Sequence, residues 1–163
     1  MAEAGTTVHD GIRALNGADL ERVIAIDRTH SGRSRRHFFE KRFAAAAAHP
    51  DEFIQIGVAR GGSLRGFATA RVFCGEFGRE PPIAMLDAIG VEMELQERGL
   101  GRLLMDGLIE SMRRAGVHKL QSQAEWTNHG LMRFFDASGF QLADRVVLER
   151  SNSELLAEPS EDV

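Results

Sequence analysis

The sequence predicts an α/β fold, a mixed central β-sheet with helices on both faces, in the order β-α-α-β-β-β-α-β-α-β. Three observations carry this. Ile83–Val91 is almost wholly apolar and reads as a central strand buried on both faces. It passes through a charged turn with glycines at Gly99 and Gly101 into a stretch where Leu100, Leu103, Leu104, Leu108 and Met112 recur at helical spacing. Val117–Glu125 then reads as a strand returning beside the first, since strand–helix–strand units favour parallel neighbours.

The remaining elements follow in chain order. Val8–Leu15 suits a short first strand. Asn16 offers a helix cap, with Asp19 at the third helical position and Leu15 and Leu20 placed as a hydrophobic staple, so a helix is expected over Ala18–Asp27. The polar stretch after it is a loop. A second helix is expected from Arg35 to His49: five consecutive alanines favour it and Pro50 stops it. The period then changes to two. Phe53–Ala59 and Arg65–Phe73 are strands joined at Gly61-Gly62, with Phe67, Thr69, Arg71 and Phe73 on one face. A Gly/Pro-rich loop leads to Ile83–Val91. Gly116 ends the long helix, Thr127 or Asn128 caps a short one closed by Gly139, and Phe140–Glu149 reads as the last strand.

Length suits one domain over residues 1–150, and the acidic tail 151–163 is expected to fray. A formal charge of -4 gives no general pull toward nucleic acid or an anionic membrane. One cysteine, Cys74, excludes an internal disulfide framework and a multi-cysteine zinc site; a small buried hydrophobe is its ordinary role. The histidines are scattered without ligand spacing, so no metal is expected. No leader-like segment opens the chain and no apolar run approaches the ~20 residues of a membrane span, which makes a cytoplasmic setting the expectation.

The chemistry concentrates in Gln96-Glu97-Arg98-Gly99-Leu100-Gly101, after a buried strand and at the opening of a helix. A helix that starts at glycines offers unpaired N–H groups and a positive dipole end, which is an anion seat. There is no Gly-Lys-Ser/Thr of a nucleotide P-loop and no third glycine of a dinucleotide fold. The plainer alternative is a tight strand–helix turn.

This segment resembles the acetyl-CoA signature of the GCN5-related N-acetyltransferase (GNAT) family, Gln/Arg-x-x-Gly-x-Gly/Ala. A second block, Asn128 to Phe140, is similar to that family's Asn-x-x-Ala-x-x-Phe-Tyr-x-x-x-Gly-Phe. The resemblance covers about 8–149, with its strong motifs in 85–140. It implies that Ile89, Gly90 and Val91 bond the pantetheine arm by backbone, with the amide of Ile89 also holding the thioester oxygen as charge develops. It implies that Gln96, Glu97, Arg98, Gly99, Leu100, Gly101 and Arg102 wrap the pyrophosphate of the co-substrate acetyl-CoA. Asn128 would bond the pantetheine arm or only cap its helix. At Phe135, among the coenzyme-binding positions, many relatives carry a tyrosine that protonates the departing thiolate; this chain has no tyrosine at all.

Asp87 is the only charged residue in Ile83–Val91. A carboxylate there must be paired or face a wet cavity. It is a candidate catalytic base toward the incoming amine, or a structural partner of an arginine such as Arg71. Glu125 is the second candidate, and Glu92 reads as a solvated loop residue. The basic cluster of Arg28, His30, Arg33, Arg35, Arg36, Lys41 and Arg42 is a solvated helix face or, through Arg33 and Arg36, an anion-selective wall of the acceptor site. Trp126 walls the acceptor cleft or plugs a gap. The resemblance implies transfer of an acetyl group to a primary amine by direct attack. The alternative is an acyl-CoA-binding sensor without turnover, which only Phe135 favours. Family members are often homodimers, and no sequence feature here decides that point.

Overall fold

The computed structural model describes residues 11–78, 80–96 and 98–151. The chain divides into two compact units, 1–123 and 124–163.

In the first unit, β1 (Gly11–Ala14), β2 (Phe53–Arg60), β3 (Ser63–Phe73), β4 (Ile83–Val91) and β5 (Lys119–Ser122) form one sheet in that spatial order. β1 to β4 pair antiparallel, and β4 and β5 pair parallel. The parallel step requires a crossover, which is α3 (Leu100–Arg114). The first part of the expected Val8–Leu15 strand lies outside the described residues.

The Asn16 cap forms as expected. Its side chain accepts from the N–H of Ala18, and Asp19 accepts from the N–H of Asn16 at 2.9 Å. Asp19 is also gripped by both guanidinium nitrogens of Arg13, at 2.7 and 2.8 Å. After a 3₁₀ turn over Gly17–Asp19, α1 runs Leu20–Ser31, four residues beyond its expected end. The stop is Gly32, left-handed at φ 71°, preceded by Arg28 and His30 in the last turn, where positive charge suits the helix dipole. α2 spans Arg36–Ala48.

Two helix layers cover opposite faces of this sheet. Phe39 of α2 meets Phe67 of β3 edge to face at 5.5 Å, in a core with Val23, Ile24 and Ile26 of α1. The adjacent Gly66 faces the other way, where a Cβ would come within 3.0 Å of Leu104 in α3. α3 buries Leu100, Leu104, Met105, Leu108 and Met112, whereas Leu103, expected on that face, is 38% exposed. The helical stripe is filled by Met105 instead.

The second unit contains α4 (His129–Ala137), capped by Asn128, whose Oδ1 accepts from the N–H of Leu131 at 3.1 Å. It ends at Gly139, φ 83°, with the N–H of Phe140 donating to Phe135 O at 3.0 Å. The expected strand Phe140–Glu149 is not present. Leu142, Val146, Val147 and Leu148 are exposed, and residues 141–150 are unpaired among the described residues. A strand requires a partner backbone, and alternating side chains state only which face would suit one. The expected fraying of 151–163 concerns residues that, after Ser151, lie outside the described ones.

Candidate active site

β4 changes its company half-way along. Ile83–Leu86 pair with β5 on one side and β3 on the other, but Ala88–Val91 pair with β3 alone. β5 ends where Ser122 meets Leu86, and the Ser122 hydroxyl donates to Leu86 O at 3.1 Å. This early divergence is why β5 is shorter than the expected Val117–Glu125. It leaves one edge of Ile89, Gly90 and Val91 without a neighbouring strand, an edge that an extended chain of amides can join. Gly90 is glycine for a reason of space: a Cβ there would lie 2.9 Å from the Phe67 ring.

From that open edge the chain turns through Met93–Gln96 to the start of α3. Gly99 is its N-cap at φ 80°, a conformation that favours glycine, and no side chain caps the helix. The first turn holds no acidic residue, and a Cβ at Gly99 would meet nothing within 4 Å. The N–H groups of Leu100, Gly101 and Arg102 make no hydrogen bond among the described residues, with Arg98 and Arg102 exposed beside them. A pyrophosphate fits this chemistry: uncapped donors, positive charge and, among the described residues, no atom within 4 Å of where a Gly99 Cβ would lie. Glu97 lies outside the described residues.

Two residues of α1, His30 and Arg22, tie it to this turn through contacts that spacing does not reveal. His30 Nε2 lies 2.5 Å from Val91 O, which can only accept, so that nitrogen carries the proton. Nδ1 is then free to accept from the Gln96 side-chain amide at 3.3 Å. Glu92, expected to be solvated, is instead held by Arg22 of α1 and by Arg65 of β3, the latter at 2.9 Å. Arg22 also donates to Leu64 O at 3.0 Å.

On the face covered by α1 and α2, the β3–β4 register slips: Thr69 pairs with Ala88 while Ala70 pairs with Leu86. Asp87 is the extra residue of this bulge, a device that re-aims one side chain beside many functional sites. Its partner is Arg42 of α2, at 2.9 Å, rather than Arg71. The contact is close but poorly directed, since Arg42 Nε and Asp87 Oδ2 are buried without a formed hydrogen bond. Burial pushes the Asp87 carboxyl above the ordinary carboxylate range, against the opposing pull of Arg42 and, by charge alone, of Arg71. Such a group is a better base at neutral pH than a free aspartate.

The other candidates scatter. Arg36 is exposed and committed to Glu21 through two bonds of 2.7 and 2.8 Å. Arg35 grips Asp27, its Nε donating at 2.9 Å. Arg33 is exposed, and its guanidinium makes no hydrogen bond or ion pair among the described residues. In the second unit Glu125 and Trp126 are exposed, Trp126 at 79%. Asn128 spends its oxygen on the cap, leaving its amide nitrogen without a partner among the described residues. Phe135 is buried against Phe134 and Phe140, at 5.9 and 4.7 Å between ring centroids. Cys74 is exposed, not buried, because β3 ends at Phe73 and the loop carries the thiol outward. Among the described residues no cluster of His, Cys, Asp and Glu could hold a metal ion, and no helix is long and apolar enough to cross a membrane.

With this geometry in place, likeness to known proteins can be read. Residues 19–140 match the model of the acetyltransferase (GNAT) family, a span that runs through both compact units. Over 135 residues the chain is 27% identical to the [ribosomal protein bS18]-alanine N-acetyltransferase of Escherichia coli (strain K12), covering 81% of each protein. Among solved structures it resembles a transcriptional regulator from Bacillus halodurans C-125, with a TM-score of 0.72 at 19% identity over 88% of this chain and 99% of the other. It also resembles AAC(6')-Iy in complex with the bisubstrate analogue CoA-S-monomethyl-acetylneamine, with a TM-score of 0.70 at 20% identity over 89% and 99%. Structural likeness at such identities speaks for the fold, and activity has to come from the site.

Proposed function

The chain belongs to the acetyltransferase (GNAT) family and is an acyltransferase, and we propose that it carries an acetyl group from acetyl-CoA to a primary amine by direct attack with both substrates bound. The observation that carries the reading is one continuous segment, 83–114. It places an unpaired strand edge, a carboxylate on a bulge and an uncapped helix start in succession.

Acetyl-CoA supplies the activated thioester, as it does throughout the family. The backbone of Ile89, Gly90 and Val91 takes the pantetheine amides. The turn from Gln96 to Arg102 takes the pyrophosphate. The Ile89 amide donates to the thioester oxygen as negative charge gathers there. As the nitrogen–carbon bond forms and the carbon–sulfur bond breaks, the amine proton passes toward Asp87, directly or through water. Phe135 has no proton to give. A thiolate is a stable enough leaving group to depart unprotonated and take its proton from water. No serine or cysteine with a paired base is needed. The reading treats residues 1–150 as one acetyltransferase domain, which the family match through both units supports. A cytoplasmic setting and a homodimer belong to the same proposal, checked by fractionation and light scattering.

The test is thiol release from acetyl-CoA with a panel of small amines, polyamines and peptides, beside calorimetry of coenzyme binding. An alanine-initiated peptide belongs in the panel because the bacterial relative acts on a ribosomal protein alanine. Binding with turnover is expected. Binding without turnover on any acceptor would turn the reading to the acyl-CoA sensor that Phe135 favours, and absence of binding would overturn both.

A further inference from the structure

We propose that the acceptor is an amine that carries its own carboxylate, received by Arg71 while the amine faces Asp87. This rests on the acetyltransferase reading and names the substrate class of that same site.

Asp87 does not stand in an acidic surrounding. Arg42 touches it at 2.9 Å, and the charge of Arg71 reaches it. A simple ammonium, and still more a polycation, would meet two guanidiniums against buried Asp87 and the half-exposed Glu52, whose charge water screens. An amine bearing its own anion brings the balancing charge with it.

Arg71 is built to receive that anion. Its guanidinium lies over the rings of Phe53 and Phe73, at 5.9 and 4.9 Å from their centroids, which fixes the plane of the fork. Its Nε is buried without a hydrogen-bond partner. Glu52 forms a loose ion pair with it at 3.7 Å, with half of its side chain exposed and too far for a hydrogen bond. A stacked arginine with unspent donors matches a carboxylate through paired N–H bonds. The arginines of the helix face, by contrast, are already occupied: Arg35 by Asp27 and Arg36 by Glu21.

The sheet sets the distance between the two anchors. Phe53, Arg71 and Met85 lie in one row across β2, β3 and β4, so Arg71 opposes a residue two places before Asp87. Because Asp87 is the extra residue of the bulge, the two backbone positions differ by at most roughly 7 Å along the strands, the rise of two regular residues. That offset suits a short carbon skeleton between amine and carboxylate, as in an amino acid or an acidic first residue of a peptide.

Matched acceptors test this: β-alanine against β-alaninamide and propanediamine, and peptides opening with aspartate against the same peptides opening with asparagine. The expected result is a kcat/KM at least ~10-fold higher for the carboxylate member of each set, the scale of one charge-assisted hydrogen bond. In Arg71→Leu that ratio should fall toward one, mainly through KM, while calorimetric affinity for the coenzyme holds; Arg71→Lys should restore part of the ratio. Equal or better turnover of the amide or diamine would overturn the proposal. So would an unchanged ratio in Arg71→Leu, or no turnover of any member by a protein that binds acetyl-CoA. Loss of coenzyme binding by the unaltered protein would instead overturn the acetyltransferase reading itself.

Discussion

The two ends of the proposed reaction are built from different materials. The coenzyme end is backbone: a strand edge from Ile89 to Val91 that β5 does not reach, with Val91 O held by His30, and the uncapped amides of Leu100, Gly101 and Arg102, in one local stretch of chain. The acceptor end is side chain: Asp87 of β4 meets Arg42 of α2 and comes within reach of the charge of Arg71 of β3 only after folding. A backbone site answers to substitutions that change the path or bulk of the chain. A side-chain site answers to substitutions that change charge, and so can be retuned without disturbing the coenzyme.

The widest break between the two should come from Gly99→Val. Its φ of 80° costs a branched residue about 1–2 kcal/mol, and the side chain intrudes on the proposed pyrophosphate seat. Coenzyme affinity by calorimetry should fall at least ~100-fold. Asp87→Asn should do the reverse, lowering kcat by about 100-fold while affinity for acetyl-CoA stays near that of the unaltered protein. It should also remove the acid limb of the pH–rate profile. The sign follows from the raised carboxyl: the proton is held to a higher pH than in free aspartate, so the base form and the rate appear only as pH climbs through the raised value. Stability runs the other way. The contribution of Asp87 is full below the ordinary carboxylate value and is lost as pH rises through the raised one. Arg42→Leu sharpens the contrast, since removing the nearer cation should move the acid limb further upward with little change at the coenzyme end. The smallest effect is expected from His30→Leu. Freeing Val91 O and Gln96 from α1 should weaken coenzyme binding by about 3- to 10-fold, the value of one hydrogen bond, with kcat nearly kept.

The same division explains what could be read in advance. The bounds of Ile83–Val91, the Asn16 cap with Asp19, the Asn128 cap and the glycine turn before α3 are all written in neighbouring residues, and each is present in the structure. Arg42 was one cation in a basic run, and nothing in its spacing separates it from Arg36, which pairs with Glu21 at the surface. Strand neighbourhood offers Arg71 as one candidate structural partner for Asp87, but in the structure Asp87, on the bulge, meets Arg42 of α2. A bulge depends on the register of two strands and leaves no mark in either one alone. His30 and Glu92 gave no signal because their partners, Val91 O and Arg22 with Arg65, are long-range. The missing strand at 140–149 is the opposite error, a local pattern taken for a pairing.

Trp126 has a practical consequence. It is the single tryptophan in a chain without tyrosine, and it is 79% exposed. Intrinsic fluorescence of this protein is therefore the emission of one indole in water. Any ligand that covers that ring will shift its colour toward the blue, and one that leaves it alone will not. A titration in an ordinary fluorimeter thus watches a single named residue without any label, and adding coenzyme and acceptor in turn shows which of them reaches it.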